Sequence, residues 1–212
     1  MTCIIPDTQL FIYGGYIKEY RARKDAIMID LVSMESKILK SGKKRAGGGL
    51  AQFGGQIYIF GGIKNLKWNH IECDKYDIRT NTWISIASLP CGSGAVCAEV
   101  FGNDILVAGF WLDALYSYSI GKNTYSRLFG LITEERKMLI VSEGRVWIMC
   151  NNFGFFESQQ YGLSRWNRIC GVTNLGLYMT QYVKFENKLY FEDGYMNVYS
   201  FDLSTRKFRI LQ

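Results

Sequence analysis

The octapeptide Tyr76-Asp77-Ile78-Arg79-Thr80-Asn81-Thr82-Trp83 returns along the chain as Tyr118-Ser119-Ile120-Gly121-Lys122-Asn123-Thr124-Tyr125, as residues 159–166 ending in Trp166, and as Phe201-Asp202-Leu203-Ser204-Thr205-Arg206-Lys207-Phe208. The closing aromatics stand at 83, 125, 166 and 208, so the spacings are 42, 41 and 42 residues. A period of about 40 residues is that of a four-stranded propeller blade and is longer than a leucine-rich or ankyrin repeat.

A second marker fixes the phase. Leu10-Phe11-Ile12-Tyr13-Gly14-Gly15, Ile57-Tyr58-Ile59-Phe60-Gly61-Gly62, Ile105-Leu106-Val107-Ala108-Gly109, Val146-Trp147-Ile148-Met149-Cys150 and Leu189-Tyr190-Phe191-Glu192-Asp193-Gly194 are short apolar runs. Unbroken apolar strands are buried on both faces, as between neighbouring blades. Before each run lies a tight-turn pair: Asp7-Thr8, Gly54-Gly55, Gly102-Asn103, Glu143-Gly144 or Glu186-Asn187. Gly and Asn tolerate positive φ, which two-residue hairpins require. Each unit therefore reads strand A, hairpin, strand B, variable loop, strand C, turn, strand D. The units run over about 2–42, 43–92, 93–132, 133–174 and 175–212.

The second unit carries the fullest pattern: Arg45 before strand A, the apolar run closing on Gly61-Gly62, Tyr76-Asp77, Trp83, then Leu89-Pro90. In these residues the chain resembles the kelch-repeat family of β-propellers, as a divergent member. Units 3, 4 and 5 lack the intact double glycine, and Ser36 stands where unit 1 should carry its aromatic. The resemblance implies an all-β propeller of five four-stranded blades over residues 1–212, a single domain that forms a small closed ring or an open arc. It also implies a module that binds other proteins without catalysis.

Composition narrows the chemistry. Six cysteines show no CxxC spacing, and a buried free thiol behaves as a small hydrophobe. His70 and Cys73 have the spacing of half a zinc site, but no second pair accompanies them, so no metal and no cofactor is expected. His70 is the chain's one histidine, which disfavours hydrolysis by a base-activated nucleophile and a copper oxidase built on several imidazoles. A sugar-processing propeller with carboxylate chemistry is the enzyme alternative, yet Glu134 and Glu135 sit in a mixed-charge connector. No apolar run reaches the ~18 residues of a membrane span. Without a secretion signal at its start, the chain is expected to be intracellular and cytoplasmic.

Geometry selects the binding face. In an antiparallel A-B-C-D meander the B–C loops and D–A connectors share one rim, and variable loops on a rigid scaffold commonly carry recognition. That rim collects residues 16–26, 41–47, 63–72, 111–114 and 152–158. It is basic: Arg23 and Lys24 in the first loop, Lys44 and Arg45 in the next connector, and Lys67 in the second loop should cluster and account for much of the formal net charge of +6. Such a surface suits an acidic protein segment, held by charge-assisted hydrogen bonds and cation–π contacts. Arg45 matches the arginine that opens strand A in the kelch pattern, and in propellers that resemble this one such arginines often contact acidic ligands. Arg136 is its nearest equivalent in unit 4. Trp111 and Phe153 are apolar candidates on the same rim. Nucleic acid is the third alternative for the basic surface, and an open arc would favour self-association.

Overall fold

The computed structural model describes residues 1–5, 8–17, 21–65, 68–131, 137–150, 154–158, 163–170, 182–192 and 197–211. Among them there is no helix, and hence none long and apolar enough to cross a membrane. The strands are β1 (Thr2–Ile5), β2 (Gln9–Tyr13), β3 (Tyr16–Ile17), β4 (Arg21–Ala22), β5 (Ala26–Asp30), β6 (Ser36–Leu39), β7 (Gly49–Phe53), β8 (Gln56–Phe60), β9 (Ile63–Asn65), β10 (Trp68–Asn69), β11 (Cys73–Asp77), β12 (Thr82–Ile86), β13 (Cys97–Phe101), β14 (Asp104–Ala108), β15 (Ala114–Ser119), β16 (Thr124–Gly130), β17 (Lys137–Ser142), β18 (Arg145–Cys150), β19 (Gly154–Ser158), β20 (Trp166–Cys170), β21 (Val183–Phe185), β22 (Lys188–Glu192), β23 (Val198–Asp202) and β24 (Lys207–Ile210).

They form five antiparallel four-stranded sheets: β1-β2-β5-β6, β7-β8-β11-β12, β13-β14-β15-β16, β17-β18-β19-β20 and β21-β22-β23-β24. This is the blade plan of a β-propeller. Two compact units contain them, with blades 1 to 3 in Met1–Glu134 and blades 4 and 5 in Glu135–Gln212. The A–B hairpins close as the turn pairs predict, with positive φ at Gly54, Gly55, Gly102, Glu143, Gly144 and Glu186.

The repeated aromatics occupy one register position. Trp83 pairs with Tyr76, Tyr125 with Tyr118, Trp166 with Ser158 and Phe208 with Phe201, while in blade 1 Ser36 faces Ile29. Trp83 reaches blade 1, its ring 4.8 Å from that of Tyr13 and its Nε1 donating to the Lys40 carbonyl at 2.7 Å. Tyr125 does the same on blade 2, donating to the Ala87 carbonyl at 3.1 Å, and Phe208 packs on Phe155 of blade 4 at 5.6 Å. All four aromatics are half-buried rather than fully enclosed, because the start of an outermost strand has solvent on one side.

Two residues upstream of the aromatic, a left-handed asparagine completes a latch. Asn81 (φ +54°) accepts from the Lys40 amide at 2.9 Å and the Tyr76 hydroxyl at 2.7 Å; Asn123 (φ +54°) accepts from the Ala87 amide and the Tyr118 hydroxyl, both at 2.8 Å. The residue that follows strand D of one blade thus has its N–H and its carbonyl bonded to the next blade. Asparagine tolerates this conformation, and its side chain supplies the acceptor.

One local expectation needs correction. Residues 152–158 were expected to be a B–C loop, but Gly154–Ser158 forms the third strand of blade 4. Phe155 is consequently a core residue, edge-on to Phe201 at 4.5 Å. The B–C loops of blades 1 and 2 each fold into a two-stranded hairpin, β3–β4 and β9–β10.

Candidate functional site

The connector 40–46 that joins blade 1 to blade 2 is held along its length. Besides the latch on Lys40, the Gly42 amide donates to the Lys24 carbonyl at 3.0 Å and the Tyr13 hydroxyl donates to the Lys43 carbonyl. The Arg45 amide donates to the Arg23 carbonyl at 2.9 Å, and Ala46 exchanges two backbone bonds with Ile63 at 2.9 and 2.7 Å. These bonds lay 23–24, 42–46 and 63 side by side. Arg23, Lys24, Lys44 and Arg45 therefore lie on neighbouring stretches of backbone.

The double glycines make this approach possible. The Gly15 amide donates to the Arg45 carbonyl at 3.0 Å, and a Cβ on Gly14 would lie 2.2 Å from that same oxygen. Both glycines have positive φ, so a side chain would meet backbone strain as well as a clash.

Alternation along the connector separates its cations. Lys44 points to solvent, whereas Arg45 is 0% exposed. The Arg45 guanidinium donates to the Gly61 and Glu72 carbonyls, both at 3.1 Å, and to Asp74 Oδ2. Asp74 Oδ1 takes Lys43 Nζ at 3.1 Å and the Ser85 hydroxyl at 2.9 Å, and Lys43 also lies 3.6 Å from Glu72. Arg45 is thus a buried cation whose two terminal nitrogens are both engaged, and it has no surface to offer. Its expected role as a contact residue is corrected to that of a strut that fixes the connector against blade 2. A buried guanidinium needs a carboxylate partner, and Asp74 provides it.

The remaining expected residues are distributed as follows. Arg23 is exposed and paired with Asp25 at 2.7 Å. Lys24 and Lys44 are exposed, with no ion pair among the described residues. Trp111 is 38% exposed, stands edge-on to Phe110 at 4.8 Å, and its carbonyl accepts from Cys91 Sγ at 3.4 Å. Its loop joins the rim through the 91–96 connector, where the Phe110 amide donates to Gly94 and the Gly62 amide to Ser93. Among the described residues, the contacts of Trp111 are with Phe110 and Cys91 and not with the basic cluster. Lys67, Arg136 and Phe153 lie outside the described residues.

Sequence reasoning missed Asp74, Glu72 and Tyr13. Asp74 was the readable signal: an acid in a strand between Cys73 and Tyr76, both buried, implies a buried cation nearby. Below the connector a pocket of about 190 Å³ is walled by Trp83 and Ser85 and floored by Asp74. Burial pushes the Tyr13 hydroxyl up to about 12, which keeps it protonated as donor to the connector. His70, beside Glu72 at 3.7 Å, is held below its ordinary value, first by burial and then by the Arg45 charge. No group of three or more metal-ligating side chains occurs among the described residues.

The family model of the Kelch motif matches residues 44–90, from Lys44 beside the strut through all four strands of blade 2 to Leu89-Pro90. Blade 2 thus matches the Kelch motif, and with five blades of one plan the chain is consistent with a member of the kelch-repeat family. No curated protein matches the chain. Kelch motif and propeller fold together fit a protein-interaction module.

Proposed function

We propose that this chain is a non-catalytic interaction module that receives an acidic segment of a partner protein on the rim of blades 1 to 3. Lys24 and Lys44 are the principal contacts, Arg23 a third, and Trp111 an apolar anchor further along. The observation that supports this most is the pair of exposed lysines, without an ion pair among the described residues, on backbone that is hydrogen-bonded in place. Preorganised cations lose little conformational entropy on binding. Arg45 acts in this reading as a positioning residue, holding the connector that presents Lys44.

Fluorescence anisotropy with a labelled Asp/Glu-rich peptide tests the assignment. Charge reversal at both lysines, K24E/K44E, is expected to weaken binding at least about tenfold, which is ~1.4 kcal/mol, with the thermal midpoint unchanged. Equal affinity for the two proteins would end the proposal. A labelled single-stranded oligonucleotide run in parallel separates the nucleic-acid alternative, whose affinity falls steeply with salt.

A further inference from the structure

His70 is the chain's one histidine, and the acidic-segment reading leaves its ring without a role. Its backbone is fixed on two sides, since the His70 amide donates to the Gly62 carbonyl at 2.9 Å and its carbonyl accepts from the Ser93 amide at 3.3 Å. The residue is therefore held between the double glycine of blade 2 and the connector that leads to blade 3. Arg45 reaches the same corner from the other connector, donating to the carbonyls of Gly61 and Glu72.

The two ring nitrogens have different surroundings. Nδ1 lies 3.7 Å from Glu72 Oε2, while Nε2 is buried and has no hydrogen-bond partner among the described residues. The charges that face the ring are Arg45 and Lys43 from the 40–46 connector, Lys64 from β9 and Glu72 from the approach to β11. The same Glu72 oxygen stands 3.6 Å from Lys43 Nζ. One carboxylate oxygen thus lies between a lysine of the rim connector and a titratable ring.

We propose that His70 is a proton-operated control of the basic rim: on taking up a proton it draws Glu72 away from Lys43, leaving the connector one further cation for an acidic partner segment. The inference rests on the acidic-segment reading of the rim. A neutral imidazole competes weakly for a carboxylate, whereas an imidazolium makes a charge-assisted hydrogen bond to it. Lys43 keeps Asp74 at 3.1 Å, but that carboxylate already answers the Arg45 guanidinium. With the ring neutral, Arg45 and Lys43 are balanced by Asp74 and Glu72; the imidazolium tips the set to a net positive charge. The Lys43 side chain is 42% exposed, so a ligand can reach it.

Binding and protonation are reciprocal: the factor by which the proton raises affinity for the segment is the factor by which the segment raises the ring's affinity for the proton. Exposed charges are screened over ~10 Å, which places the gain at about fivefold, the low end of the usual range.

Anisotropy with a labelled Asp-rich peptide, whose carboxylates stay ionised down to about pH 5, tests the proposal from that pH up to about 7.5, alongside NMR titration of the imidazole C2–H resonance. As pH falls, wild-type affinity is expected to rise about fivefold along the same curve as the resonance, and bound peptide should move the midpoint of the resonance upward. His70→Gln should match the wild type in thermal midpoint and affinity at the upper end of the range and show no rise below it. Glu72→Gln, which removes the charge of the shared oxygen, should move the imidazole titration to lower pH. A wild-type affinity flat with pH, an equal rise in His70→Gln, or a titration that Glu72→Gln leaves in place would each overturn the proposal. Absence of peptide binding throughout the range would instead end the acidic-segment reading, and the proton's control of it as well.

Discussion

Replacing Arg45 by alanine separates a strut from a ligand-contacting residue. The substitution removes the donors to the Gly61 and Glu72 carbonyls and the partner of Asp74, all in a region where Arg45 itself is 0% exposed. Breaking a buried ion pair from one side costs about 3–5 kcal/mol, because a charge is left without compensation. Here Lys43 at 3.1 Å and Ser85 at 2.9 Å still attend Asp74, which draws the estimate to the lower end. The two orphaned carbonyls and the vacated volume push it back up, at about 1 kcal/mol or more each. A net loss of about 3–4 kcal/mol is expected, a large part of the ~5–15 kcal/mol that holds a domain together. Urea denaturation followed by tryptophan fluorescence reads it directly. With a slope of about 2 kcal/mol/M, the midpoint should fall by about 1.5–2 M at unchanged slope. R45M/D74L, which removes both charges, should be less destabilised than either single variant, since the penalty lies in the unpaired charge. A loss below about 1 kcal/mol for Arg45→Ala, together with abolished peptide binding, would refute the strut and restore Arg45 to the contact surface.

The asparagine latch predicts that Asn81→Ala loses about 2–3 kcal/mol, from two hydrogen bonds and a left-handed backbone that alanine resists; Asn81→Gly should recover the backbone part, and equal losses for the two variants would contradict that division. Tyr125→Phe removes the bond to the Ala87 carbonyl and should cost about 1 kcal/mol in the same denaturation assay, whereas no change would mean that the Tyr125 ring and Asn123 latch blade 3 to blade 2 without the hydroxyl. Acid sensitivity should come from Asp30, Asp77 and Asp202, whose carboxyls are lowered from 3.8 chiefly by backbone donors, first those of Ser33, Thr80 and Thr205 respectively. Their folded values lie below the unfolded one, so this stabilisation is present above about pH 4 and is lost as pH falls through the depressed values; the triple Asp→Asn variant should show a shallower loss of urea midpoint there, and an identical profile would argue against it. His70 should titrate below 6.5, seen as the chain's one imidazole C2–H resonance by NMR, and stability should begin to fall as pH drops through 6.5 because only the unfolded chain then takes up the proton readily.

The five-blade plan was legible because its signals are local. Each left-handed turn, apolar run and closing aromatic is specified by a few consecutive residues, and a fixed period supplies the phase. What escaped depended on pairing across distance. Strand β19 was read as loop because Gly154 interrupts the apolar pattern, yet Phe155 takes a core position against Phe201 and Phe208 of the next blade. The β3–β4 and β9–β10 hairpins were invisible for the same reason, being two or three residues long on at least one side.

Charge on the rim shows the limit most clearly. Lys43, Lys44 and Arg45 are three consecutive cations, equivalent by composition, but the strand-like alternation of the connector gives them different surroundings. Lys44 is left in water, Lys43 bridges Glu72 and Asp74, and Arg45 goes inward to Asp74, 29 residues ahead. The conformation that turns Arg45 in is held by its own backbone, since its amide and carbonyl are taken by Arg23 and by Gly15. The Gly14-Gly15 pair, the arginine and the strand-C aspartate therefore act as one device: the glycines admit the connector, the ion pair anchors it to blade 2, and the lysine between the two anchors is presented outward. A partner that recognises Lys44 reads a charge whose position was set by residues it never touches.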